Sequence, residues 1–76
     1  MSDDVLAMWT VYDHPRDEPD YWVARLWLVG RHGVLEATKT RFTATSLEAL
    51  RAMLPSGLHR LERDRADDPV IVETWL

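Results

Sequence analysis

The sequence predicts an α+β domain: an antiparallel sheet of four to five strands with one short amphipathic helix on one face, in the order β-β-β-α-β-β. Three observations predict it. Four tryptophans fall within 76 residues, and Trp9, the Trp22/Trp27 pair and Trp75 each lie in a run of β-favouring residues. A single segment, Thr45 to Leu54, carries leucines at helical spacing. Clusters of proline, glycine and acidic residues punctuate the chain between these runs.

The first strand reads Ala7-Met8-Trp9-Thr10-Val11-Tyr12. Asp13 to Asp20 follows with two prolines and four acids; neither proline can donate to a central ladder, so the segment reads as loop. Tyr21 to Val29 is the longest apolar run. Tyr21, Val23, Arg25, Trp27 and Val29 share one parity, and Trp22, Ala24, Leu26 and Leu28 the other. Both sets are mostly apolar, as in a strand covered on both faces. Gly30-Arg31-His32-Gly33 has hairpin-turn length. Val34 to Phe42 then returns antiparallel, and its Glu36, Thr38 and Thr40 suit an edge position.

Thr45-x-x-Glu48 has the spacing of a capping box, in which hydroxyl and carboxylate satisfy orphan N–H groups at a helix start. Leu47, Leu50 and Leu54 then form one apolar stripe, with Met53 beside it and Glu48 and Arg51 on the wet side. Pro55-Ser56-Gly57 ends the helix. Leu58 to Glu62 reads as a short fourth strand, Arg63 to Pro69 as a solvated loop, and Val70 to Leu76 as a strongly β-forming close.

A helix of two to three turns covers only part of one face of such a sheet. The other face must meet water, a loop or another chain, and apolar side chains occupy both parities of the second and last strands. Contiguous exposed apolar area is uncommon on monomers. Self-association through that face follows, with Trp22, Trp27, Ile71 and Trp75 as the candidate interface residues. Parity leaves open which of Trp22 and Trp27 faces the helix. The competing account is that the Asp13–Asp20 loop, or the N-terminal residues, fold over the same face.

Length allows one domain over residues 1–76, with residues 1–5 read as disordered. Its core is small. With no cysteine, disulfides are excluded. No apolar run approaches the roughly 20 residues that span a bilayer, and the acidic start, Met1-Ser2-Asp3-Asp4, is unlike a signal peptide. A cytoplasmic setting is the expectation. The formal net charge of −4 is unevenly placed. Six acids precede residue 21 against Arg16 alone, whereas residues 25–60 hold six bases against Glu36 and Glu48. Such asymmetry bears on association rather than fold.

Chemical signatures are sparse. Asp13, His14, Asp17 and Glu18 are types that bind divalent metals or move protons, but structural zinc normally takes four ligands in recognised spacings, often with thiolates. The simpler reading is a turn opened by the Asp13 carboxylate, with His14 held extended by Pro15. Hence no metal and no cofactor are expected. Ser2, Ser46 and Ser56 lack a nucleophile-elbow setting. Gly30, Gly33 and Gly57 make no phosphate loop. These absences point away from an enzyme. An alternative function, binding of single-stranded nucleic acid, would use Arg25, Trp27, Lys39 and Arg41 as a stacking platform. Overall acidity opposes it.

Tyr12-Asp13-His14-Pro15, the Leu-Pro-x-Gly-Leu stretch (Leu54–Leu58) after the leucine-rich helix, and Asp68-Pro69-Val70-Ile71-Val72-Glu73-Thr74-Trp75 resemble small uncharacterised proteins of bacterial and phage genomes. The resemblance spans most of the chain and implies a bacterial cytosolic setting; it transfers no functional residue. Composition and resemblance together lead to a small non-enzymatic interaction protein, self-associating as a homodimer through an apolar aromatic sheet face or meeting an unidentified protein partner there.

Overall fold

β1 (Leu6–Asp13), apolar from Leu6 to Tyr12 save for Thr10, lies at the middle of the sheet, where it pairs on both edges. The computed structural model describes residues 5–64 and 68–76. Of residues 1–5, read from the sequence as disordered, Val5 is described and exposed; residues 1–4, and the part of the solvated loop at residues 65–67, lie outside the described residues. β2 (Trp22–Val29) and β3 (Leu35–Ala44) follow, joined through a single 3-10 turn at Arg31–Gly33. Both turn positions His32 and Gly33 have positive φ, 68° and 75°. After α1 (Leu47–Met53) come β4 (Arg60–Glu62) and β5 (Ile71–Trp75). The strands form one antiparallel sheet in the order β3-β2-β1-β5-β4. This is the predicted α+β architecture, with strand bounds within two residues of those the sequence predicts.

The helix begins one residue later than the capping box implies. Ser46, not Thr45, is the cap: its Oγ accepts from the Ala49 N–H at 3.1 Å. Alanine at that third position cannot return the bond, so the cap is one-sided. Leu50 is fully buried, and Leu47 and Leu54 pack beside it, while Met53 is exposed.

Two register shifts decide which side chains share a face. Between β1 and β5, Val11 faces Glu73 but Tyr12 faces Ile71, so Val72 is an extra residue in a bulge. Between β2 and β3, Arg25 faces Arg41 but Trp27 faces Ala37, so the bulge falls at residues 38–40. The helix-side face therefore holds Trp9, Val11, Trp22, Ala24, Leu26, Phe42, Val72 and Trp75. Ala24 is the small residue that makes this core possible. Across it the Trp9 and Phe42 rings, from strands that do not touch, stack with centroids 5.0 Å apart and planes 10° from parallel.

Arg51 does not stay on the wet side. It reaches from α1 to β5 and grips Glu73, donating from Nε to Oε2 at 2.9 Å and from Nη2 to Oε1 at 2.6 Å. The Trp75 indole donates to Oε2 at 2.7 Å, and Arg60 lies 3.8 Å from Oε1. Glu73 is only 1% exposed. Burial pushes its carboxyl up, but the hydrogen bonds from Arg51 and Trp75 and the charges of Arg51 and Arg60 outweigh it, leaving the carboxyl below the ordinary glutamate value. The bond to Glu73 likewise raises Arg51.

A group held below its unfolded pKa stabilises the fold above that unfolded value and ceases to do so as pH falls through the folded one. Thermal melts of the parent and of Glu73→Gln are therefore expected to converge as pH is lowered from 7 through about 4 and below. A constant difference in Tm over that range would exclude Glu73 as an acid-sensitive group.

Candidate functional site: the open face of the sheet

The face away from α1 is built from the other parity. β1 contributes Leu6, Met8, Thr10 and Tyr12; β2 contributes Val23, Arg25, Trp27 and Val29. Leu35, Ala37 and Arg41 join from β3, Ile71 and Thr74 from β5, and Leu61 from β4. The centre of this face is concave. A depression of about 290 Å3 is lined by Met8, Thr10, Tyr12, Trp27, Leu35, Ile71 and Thr74. Leu6, Leu35 and Leu61, each about half exposed, stand on the same face. Among the described residues, the exposed hydrophobic side chains Val5, Leu6, Val34 and Leu35 gather at one end of the sheet.

The opposite end is covered. The acidic loop after β1 folds back so that Asp17 pairs with Arg25 and Glu18 with Arg41, the latter at 3.1 Å. Arg25 also lies over the Tyr12 ring, 5.7 Å from its centroid. Beneath this strap Val23 is fully buried, and Pro15 is buried within the loop. The loop account of the second face thus holds for one end of the sheet, and the apolar depression occupies the rest.

The structure divides the four candidate interface residues. Trp27 and Ile71 line the same open depression. Trp22 and Trp75 pack against the core on the helix side. Ile71 and Trp75 would share a face in a regular strand, and the Val72 bulge separates them. Trp22 is the member of its pair that faces the helix.

The candidate nucleic-acid residues are also dispersed in role. Arg25 and Arg41 lie side by side on the open face, but each is engaged by a loop carboxylate. Lys39 is exposed in the β3 bulge, apart from Trp27. The acidic loop residues, for their part, do not converge on a shared point. His14 Nδ1 lies 2.5 Å from Asp13 Oδ1, with its ring edge-on to Trp22 at 5.3 Å, whereas Asp17 and Glu18 turn to the arginines. His14 is not extended; its φ is 48°, in the left-handed region, which brings the ring onto both Asp13 and Trp22. Among the described residues no group of three or more histidines and acids is placed to hold a metal ion.

The Glu73 cluster is the feature that sequence reasoning missed. Its one signal was a carboxylate inside the otherwise apolar run Val70 to Leu76, opposite an arginine-bearing helix. Among the described residues no helix is long and apolar enough to cross a membrane. Comparison of the chain with protein-family models, with curated proteins and with solved structures finds no match.

Proposed function

We propose that this chain is a small non-enzymatic protein-interaction module that works through the open face of its sheet, with a second copy of itself as partner, in a bacterial cytosolic setting. The observation that carries the reading is the apolar depression formed by Met8, Trp27, Leu35 and Ile71 on the face that α1 does not cover. Aromatic side chains in apolar hollows are the usual anchors of protein contacts. The engaged state of Arg25 and Arg41 supports this reading over the nucleic-acid one, since a phosphate would have to displace two carboxylates already in place.

Light scattering coupled to gel filtration, over a hundredfold range of concentration, is the direct test. The mass is expected to rise above 8.8 kDa with concentration, and Trp27→Glu is expected to hold it at the monomer while leaving the far-ultraviolet circular dichroism unchanged. A parent chain that stays monomeric throughout would refute self-association.

A further inference from the structure

Both edges of the sheet are blunted against strand addition. β4, the outer strand on one side, is three residues long and carries Arg60 and Glu62. β3, on the other side, is ten residues long but broken by its bulge. There the Thr38 hydroxyl donates to the Leu26 carbonyl at 2.8 Å and accepts from the Thr40 N–H at 3.1 Å. That N–H is engaged within its own strand, and Lys39 stands beside it. Short strands, bulges and edge lysines are the recognised devices against edge-to-edge growth.

The open face is the reverse case. Its two arginines are matched in place by Asp17 and Glu18, so the face can meet a copy of itself without net like-charge repulsion. Strands about 4.8 Å apart, with about 3.4 Å per residue along lengths of eight, eight, ten, three and five residues, give a flat area of roughly 550 Å2. Two such faces, less their strapped ends, would remove on the order of 1,000 Å2 of accessible surface or somewhat under it, the size class of weak, concentration-dependent contacts.

We infer that two copies close on each other open face to open face, as a two-layer sandwich related by a two-fold axis, with Met8, Trp27 and Leu35 of each copy inside and all four sheet edges outside. This rests on the self-association read above. It adds that assembly stops at two, because an isologous contact consumes the surface that makes it.

The chain has no cysteine, so single-cysteine variants report position cleanly. Met8→Cys on the central strand and Leu35→Cys, exposed on the same face, are to be treated with a short bismaleimide beside Lys39→Cys on the β3 edge and Met53→Cys on the helix side. Crosslinked dimer is expected from the two face variants alone, and light scattering is expected to plateau at twice the chain mass. Leu35→Cys keeps the test open if Met8→Cys disturbs packing. Crosslinking through Lys39→Cys without the face variants, or a mass that climbs past two, would overturn the sandwich while leaving self-association standing. A parent chain that stays monomeric, with no variant crosslinked, would overturn both.

Discussion

Replacing Arg51 by alanine is expected to cost about 2–4 kcal/mol of unfolding free energy in urea titrations at pH 7. The loss arises from what is left behind. Glu73, 1% exposed, would keep its charge with only the Trp75 indole in hydrogen-bond contact and Arg60 at 3.8 Å. Removing one partner of a buried pair typically costs about 3–5 kcal/mol. The lower figure reflects Arg51, whose side chain is 37% exposed, so that water can enter behind it. The pair as a whole is a different matter, because both ions were desolvated to form it. Arg51→Leu combined with Glu73→Leu is therefore expected to recover most of the loss. A cost below about 0.5 kcal/mol for Arg51→Ala, the range of ordinary surface changes, would mean that the grip on Glu73 contributes nothing.

Trp9→Ala is the second large effect, about 3–5 kcal/mol. Trp9 is 4% exposed, spans the gap above Ala24 and stacks on Phe42, so its removal empties the middle of the helix-side core. A domain of this size has about 4–11 kcal/mol in total. The variant is thus expected to lose a large share of that margin and to melt far below the parent, as followed by near-ultraviolet circular dichroism. Trp27→Glu, on the open face, is expected to keep its fold. Similar destabilisation by the two changes would contradict the division of the tryptophans between core and open face.

That division was legible in the sequence only in part. Composition and turn residues mark the five strands and the helix, because β-branched runs and leucine spacing are local properties. Facing is not local. The parity that groups Ile71 with Trp75 fails because one extra residue, Val72, sits opposite no partner on β1, and a bulge leaves no clear mark in an all-apolar run. Similarly, Arg51 looks solvent-facing by helical spacing, since nothing near it in sequence reveals a carboxylate 22 positions away. Thr45 and Ser46 are chemically similar caps, and the backbone geometry that selects Ser46 is not written in either residue. A shortage of cover is legible, because one short helix cannot roof two faces; the depression on the open face is not. Its membership, Trp27 with Ile71 rather than Trp22 with Trp75, required the register.

The pairing of β1 with β5 has a consequence for how the chain acquires its structure during synthesis. Trp9 sits opposite Trp75, so that edge of the central strand has no neighbour until β5 has been synthesised. β1, β2 and β3 can zip as they emerge, since each pairs with the next. Until then β1 keeps a bare inner edge, open to pairing with other chains, while Trp9 is already met by Phe42 from β3. Non-local closure of this kind slows folding relative to helical domains of equal length. β5 is therefore the latch of the sheet: its arrival closes the free edge of β1 and gives β4 its partner.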